Sequence, residues 1–420
     1  MQKQNSALEK FFGDLGPGLI TGAADDDPSG IATYSVTGAS FGYGPLWTAL
    51  FCFPLMASVQ LMCSRLAMVS GRGLAAMVRR RYSRLVLWGA CLLLIVANVI
   101  NIAADLGGMA EAASMVTGLP AAWLTPVFAG VIVLALFWSS YRSLARVFKW
   151  LTLVLFAYVI TAFLAHPDWA AVLRATLIPK IEWSSEYLSV LVAILGTTIS
   201  PYLFFWQAAE EVEEERAEGR TTVDQRKGAT DQELRRARID VLTGMFFSNL
   251  VMYFIILTTA ATLHAHGVTK ISTASQAAEA LKPLAGKGAY WLFSLGLIGT
   301  GMLGVPVLAG SSAYAISEAM KWRASLERKP SVAPQFYGVL AIAVGLGAAL
   351  NYFGWNAVEM LFWSAVANGV LAPPLIVLVV LLTSDREVMD DRVNPPLLRW
   401  LGWLSAGVMT AAALAMVLAR

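Results

Sequence analysis

The sequence predicts an all-α integral membrane protein of eleven transmembrane helices, folded as two inverted repeats of five with one further helix at the periphery. Three observations carry this expectation: the composition, a succession of apolar runs of membrane-crossing length, and a proline-interrupted run opening each half of the chain. Of the 420 residues 57% are hydrophobic and only 14% charged, with a mean hydropathy of +0.62. That balance belongs to membrane proteins and removes the usual reading of such a length as two or three soluble domains. The formal net charge of +3 gives no reason to expect nucleic acid as a partner.

Crossing roughly 30 Å of hydrocarbon at about 1.5 Å per residue takes about 20 apolar residues. Nine uninterrupted runs meet that length, near 46–64, 85–104, 121–139, 148–165, 241–263, 289–317, 336–353, 357–382 and 398–418. Two more, near 16–38 and 187–209, are apolar but broken in the middle by a proline with polar neighbours. One transmembrane domain over 1–420 follows, with repeat one at about 12–166, repeat two at about 186–383 and the peripheral helix at about 396–418. The lipid bilayer is its expected partner, and no obligate protein partner is indicated.

Charge placement tests the count. With the N-terminus in the cytoplasm, 25 of the 31 basic residues fall on the inner side, in clusters such as Arg65 to Arg84, Arg142 to Lys149, Arg216 to Arg238, Lys321 to Lys329 and Arg386 to Arg399. Only Arg174, Lys180, Lys270, Lys282, Lys287 and Arg420 fall outside. A missed helix would scramble this alternation, so it predicts eleven spans, a multi-pass protein of a bacterial-type inner membrane, and an extracytoplasmic C-terminus. Asp14 interrupts the first apolar stretch and no small-residue cleavage site follows before Asp25, so no cleaved signal peptide is expected.

Several features read as ordinary structure. Cys52, Cys63 and Cys91 lie in apolar segments without C-x-x-C spacing, as buried small hydrophobes do. His166, His264 and His266 fall at predicted outer helix ends as interfacial polar residues. The charged stretch from Glu210 to Arg238 reads as a solvated cytoplasmic loop with helix caps.

The two breaks point to function. The first runs Gly16-Pro17-Gly18 through Asp25-Asp26-Asp27-Pro28-Ser29-Gly30. Three adjacent carboxylates inside an apolar span are costly unless they face water or a cation. Pro28 removes a backbone donor and Gly30 frees the backbone angles, so carbonyl oxygens are released beside a carboxylate. Such oxygens suit a hard cation. The second break, Gly196-Thr197-Thr198-Ile199-Ser200-Pro201-Tyr202, repeats the design with hydroxyls beside the proline. Interrupted helices at matching places in two halves mark the binding site of a secondary transporter.

Through these two breaks, and in its whole helix plan, the chain resembles the natural resistance-associated macrophage protein (Nramp) family of divalent metal transporters, which has the LeuT-type fold of broken first and sixth helices. The family's first-helix motif is D-P-G-N and its sixth-helix motif M-P-H. The resemblance implies that Asp27 is the metal-binding aspartate and that Thr197 sits at the carbonyl donor. Gly30 stands where the family has asparagine, Ser200 where it has methionine, and Tyr202 where it has histidine. Loss of the sulfur shifts the expected preference from softer transition metals toward magnesium, calcium or manganese. The absence of a side chain at Gly30 leaves room for a partly hydrated ion, as magnesium prefers. In these respects the chain looks like the divergent magnesium-transporting branch of the family.

The resemblance therefore implies import of Mg2+ and Mn2+ by alternating access, with the ion as substrate and no permanently bound cofactor. Family members that couple to protons use acidic residues on the third helix, the sixth-helix histidine and arginine on the ninth. Asp105 aligns with one acidic position and Glu111 lies six residues on, but Tyr202 does not titrate near neutrality and the ninth span has no arginine. Weak or absent proton coupling is expected. Asp105 and Glu111 either line an aqueous path or pair with helix ends. Asp25 and Asp26 lie about 100° apart on a turn and cannot both join Asp27 on one ion; one attracts cations along the entry path. Asn249 and Asn368 read as interhelical hydrogen-bond glue ahead of an outer hydration shell. Gln207 and Glu210 lie toward the inner mouth.

Two other transporters compete with this reading: a proton-coupled Mn2+/Fe2+ transporter of the ordinary family type, and a sodium-coupled symporter of organic solutes on the same architecture. The three aspartates would repel a substrate carboxylate and disfavour the latter. An enzyme is not expected, since no H-E-x-x-H or G-x-S-x-G arrangement is present.

Overall fold

The computed structural model describes residues 16–138 and 153–419. The first predicted span divides into α1 (Pro17–Asp25) and α2 (Pro28–Phe41). Then come α3 (Trp47–Ser70), the short α4 (Leu74–Arg81), α5 (Arg84–Thr117), α6 (Ala121–Trp138), α7 (Phe156–Leu164) and α8 (Trp169–Leu177). The second half opens with α9 (Ser185–Thr198) and α10 (Pro201–Ala217), followed by α11 (Asp231–Thr262), α12 (Ala289–Met320), α13 (Pro334–Leu350), α14 (Ala357–Ser384) and α15 (Pro396–Leu418).

Among the described residues nine helical stretches are long and apolar enough to cross a membrane, with α9 and α10 taken as one across their break. The divided α1–α2 pair and the shorter apolar stretch Leu153–Leu164 stand where the first and fifth spans are predicted. The start of the fifth span and the basic run Arg142 to Lys149 lie outside the described residues.

Both breaks are built alike. A helix ends in a residue near ψ 50–60°, the next residue is extended, and a proline at the first position starts a new helix. Asp26 (φ −84°, ψ 52°) and Asp27 (φ −70°, ψ 171°) precede Pro28; Ile199 (φ −122°, ψ 58°) and Ser200 (φ −77°, ψ 133°) precede Pro201. Proline at that position forgoes a donor that the helix start leaves unpaired anyway. The departure from helix falls before Pro28, so Gly30, already inside α2, is not the hinge the sequence suggested.

The two ends of the bundle differ in charge. At one end Arg81 pairs with Asp385 and Glu387 at 2.6 Å, Arg392 with Asp231 and Lys227 with Asp390 at 3.6 Å. There Arg79 also donates to the Glu318 carbonyl at 2.5 Å. Four of the predicted inner clusters thus meet one another, and this is called the basic end. At the other end Ser40 bonds the Thr269 carbonyl, Tyr187 that of Lys180 and Asn356 that of Ser272. The chain enters α1 at the basic end and α9 at the other, so the two broken pairs run antiparallel.

Several helices outrun their apolar runs. α5 continues from 104 to Thr117 and α11 begins ten residues early at Asp231, behind a Thr230–Glu233 capping box. α10 carries straight on through the glutamates to Ala217. Glu210, Glu211, Glu213 and Glu215 are all buried, which corrects the solvated-loop reading of that stretch. The cause is pairing within the helix and across to other segments: Glu213 binds Arg216 one turn on and Ser325 at 2.7 Å, and Glu211 binds Ser64 at 2.7 Å. The helix caps expected there do occur, at Thr222 and Thr230. The cysteines are buried and free. His264 and His266 bond the Ala39 and Thr262 carbonyls through Nδ1. α15 packs on α3, α9 and α14 while exposing Leu397, Trp400 and Leu414, as a peripheral helix in lipid does.

Candidate functional site

Asp27 is the N-cap of α2. One carboxylate oxygen accepts from the Gly30 N–H at 2.8 Å, satisfying one of the donors a helix start leaves open. The other lies 3.3 Å from both Asn101 Nδ2 on α5 and the Tyr202 hydroxyl on α10. The same hydroxyl is 2.9 Å from the Ala24 carbonyl, so its single proton sits between two acceptors and ties the second break to the first. Ser29, next in the chain, donates its N–H to Asp105 at 3.2 Å and bonds Ser364 of α14 side chain to side chain at 2.9 Å. Both carboxylates flank Gly304 of α12, where a Cβ would come within 3.1 Å of Asp27 Cβ and 3.8 Å of Asp105 Oδ2. Asp105 Oδ2 and Asn101 Oδ1 are buried without a hydrogen-bond partner. Two carboxylates and bare acceptor oxygens thus converge in a buried place, a donor set fitted to a cation.

The second break faces this group. A Cβ on Gly30 would lie 3.1 Å from Thr197 Oγ1 and 3.4 Å from the Tyr34 ring. The space expected beside Gly30 for a hydrated ion is therefore filled by Thr197, and the glycine serves close approach of the two broken helices. Ser200 Oγ donates back to the Gly196 and Thr197 carbonyls at 2.8 and 2.9 Å, so the two expected ligands of this break are joined to each other. Each of those oxygens keeps lone pairs beyond that bond.

This arrangement has relatives. The sequence matches the natural resistance-associated macrophage protein-like (Nramp) family over residues 18–419. The chain belongs to that family. It is 28% identical to the divalent metal cation transporter MntH of Deinococcus radiodurans over 417 residues, 94% of this chain and 87% of the relative. To MntH of Aeromonas hydrophila it is 27% identical over 406 residues, 93% and 91% of the two chains. A crystal structure of the Eremococcus coleocola manganese transporter matches with a TM-score of 0.76 at 19% identity, over 99% of this chain and 88% of that one. Inward-facing Mhp1 matches at 0.52 and 14% identity, over 96% and 90%. Likeness at such identities shows the fold, and the fold is that of the LeuT-type transporters.

Within this Nramp chain the remaining polar residues separate. Asp25 and Asp26 turn to α11, where the Ser248 hydroxyl lies 2.6 Å from Asp25 and 3.3 Å from Asp26; at 0% and 5% exposure neither lines an open entry path in this conformation. Glu111 accepts from Ala274 N at 3.0 Å, capping a short helix, Ala274–Ala278, so the helix-end reading applies to it. Asn249 donates to the Ala49 carbonyl at 3.0 Å, as interhelical glue. Asn368 does not act as glue: it is buried with neither end of its amide hydrogen-bonded. Gln207 donates to Glu211 at 2.9 Å, toward the basic end.

Asn98 and Asn101 were missed. With Asp105 they stand three and seven residues apart, one polar stripe on an otherwise apolar helix, and that spacing was the available signal. Asn98 donates to the Leu308 carbonyl and to Ser311 and Ser312 at 2.8–2.9 Å, locking α5 to α12 behind the site. Asp240, two residues past the charged stretch, was missed as well; it accepts the Gly16, Gly18 and Leu19 N–H groups at 2.6–3.2 Å and holds the start of α1 to α11.

Proposed function

We propose that this protein imports divalent metal cations, Mg2+ and Mn2+ ahead of softer metals, by alternating access and with little or no proton coupling. The observation that carries the reading is the pairing of Asp27 and Asp105 between two mutually bonded helix breaks, with oxygen donors around them. Relatives that are named divalent metal cation transporters support it. Ser200 supplies a hydroxyl where the family motif has sulfur, and carboxylate, carbonyl and hydroxyl oxygens favour hard ions.

Alternating access accords with the buried position of Asp27 and Asp105, 2% and 0% exposed, between two separate cavities. One of about 200 Å3 opens at the basic end beside Pro17 and Asp240. The other, of about 510 Å3, opens at the far end beside Ser40, Ser185 and Glu359. Weak proton coupling rests on Tyr202 in place of histidine, on α13 without arginine, and on neutral Asn98 and Asn101 beside Asp105. The basic end faces the cytoplasm in this reading, by its excess of Lys and Arg.

The test is uptake of Mn2+ into proteoliposomes with and without millimolar Mg2+. Competition by Mg2+, lost transport in Asp27→Ala and a silent internal pH dye are expected; indifference to Mg2+ would overturn the hard-ion preference. A second reading, transition-metal transport of the ordinary family kind, draws on one observation. Met109, one turn beyond Asp105, packs its sulfur against Gly301 beside Pro28, placing a thioether close to the first break. Met109→Leu separates the two: it leaves Mg2+ competition and Mn2+ uptake intact under the first reading and abolishes uptake under the second.

A further inference from the structure

A third cavity, of about 350 Å3, lies at the basic end. The end of α10 contributes Glu213 and Arg216 to its lining, α12 contributes Glu318, and the loop after α12 contributes Trp322, Arg323 and Arg328. That loop is pinned along its backbone. The Trp322 N–H donates to the Ser317 carbonyl at 2.8 Å and the Leu326 N–H to the Tyr314 hydroxyl at 3.1 Å, while the Arg328 carbonyl accepts from Tyr337 at 2.7 Å. Arg216 reaches across from α10 to the Ala324 carbonyl at 3.0 Å, so the arginines are presented from a fixed frame.

Charge in this lining is unbalanced. Both carboxylates are engaged within the protein, Glu213 by Arg216 and by Ser325 at 2.7 Å, and Glu318 by the Ala76 N–H at 3.0 Å. Of the three guanidinium groups only that of Arg216 has a carboxylate partner; among the described residues the side chains of Arg323 and Arg328 make no hydrogen bond or ion pair. Glu327, between them in sequence, does not line the cavity. Two unpaired guanidinium groups on one concave surface, with a third beside them, suit the oxygens of a phosphate, which accept paired N–H donors. The surroundings indicate where such a phosphate comes from. Met320, Trp322 and Val332, within and beside the loop, are 44%, 36% and 38% exposed, and α13, into which the loop leads, exposes Ile342 and Leu346. Open apolar side chains and a tryptophan at the ends of two membrane-crossing helices mark the level of the lipid headgroups, and basic pockets between such helices hold anionic ones.

We propose that Arg216, Arg323 and Arg328 bind the headgroup phosphate of an anionic phospholipid, with Trp322 against the apolar part of the lipid. The site requires neither the transport reading nor a choice of leaflet. Full-length protein in neutral detergent, titrated with dioctanoyl phosphatidylglycerol and followed by native mass spectrometry, tests it. Wild type takes up one molecule in preference to dioctanoyl phosphatidylcholine. Arg323→Gln together with Arg328→Gln weakens that adduct about tenfold, as loss of charge-assisted phosphate contacts does. Lys321→Gln together with Lys329→Gln removes the same charge from the same loop but outside the cavity lining, and changes the affinity by less than about twofold, as expected of exposed, screened charges. Equal binding of the two lipids, or equal loss from the two pairs of substitutions, would overturn the proposal. Displacement of the lipid by millimolar inorganic phosphate would overturn it too, by making this a site for a soluble anion.

Discussion

Asp27 uses its two oxygens differently: one caps α2 through Gly30, the other receives Asn101 and Tyr202. The two uses separate by substitution. Asparagine is as good an N-cap as aspartate, so Asp27→Asn keeps thermal stability near wild type while removing the charge a cation needs, and Mn2+ uptake falls to background. Asp27→Ala also loses the cap, worth about 1 kcal/mol, and unfolds at a lower temperature than Asp27→Asn; equal melting temperatures would show that the cap is not used. Gly30 yields a second prediction. Restoring the family's asparagine there sets a Cβ 3.1 Å from Thr197 Oγ1, so Gly30→Asn alone destabilises, and Thr197→Ala, by removing that oxygen, recovers part of the loss. A double-mutant cycle with no coupling between positions 30 and 197 would refute the contact.

At the scale of elements, α1 is held to α11 by backbone approach as well as by Asp240. A Cβ on Gly22 would lie 2.3 Å from the Gly244 carbonyl, and one on Gly244 2.1 Å from that of Gly18. Gly244→Ala therefore forces the helices apart at a cost of roughly 1–3 kcal/mol, whereas Gly130→Ala on α6, with nothing within 4 Å of its Cβ, is neutral or gains up to about 1 kcal/mol from helix propensity; thermal unfolding of the two variants checks the contrast. The breaks themselves were legible in the sequence because proline inside an apolar run, beside three aspartates at the first and hydroxyl residues at the second, has few other meanings. The glutamates of α10 were not, because a charge run reads as solvated until its partners are known, and two of them, Ser64 and Ser325, come from distant segments. The stripe Asn98, Asn101 and Asp105 had a readable spacing, yet only the packing of α5 against α2 and α12 reveals that it faces the site. At Gly30 the space expected from the missing side chain is taken by Thr197, since whether a missing side chain leaves space depends on what the facing helix places there.

Across the whole molecule, the charge clusters that alternate along the sequence gather in space, as the pairs Arg81–Asp385, Arg392–Asp231 and Lys227–Asp390 show. If the proposed orientation holds, with this Lys- and Arg-rich end in the cytoplasm, alkaline phosphatase fused after the last residue is expected to be active and green fluorescent protein fused there dark; the reverse would invert the topology. That orientation also fixes the driving force. A divalent ion moving inward gains about 4.6 kcal/mol per 100 mV of inside-negative potential, roughly three powers of ten in accumulation, a driving force sufficient for the uptake without proton coupling proposed above. Weak coupling, as proposed, draws on the neutral Asn98 and Asn101 on the same helix as Asp105. In proteoliposomes an inside-negative potassium diffusion potential is expected to accelerate Mn2+ entry strongly at a fixed pH, while an imposed pH gradient without a potential changes it little. Entry that follows the pH gradient and acidifies the lumen in step with the metal would show that protons travel with the ion after all, with Asp27 and Asp105 as the groups that carry them.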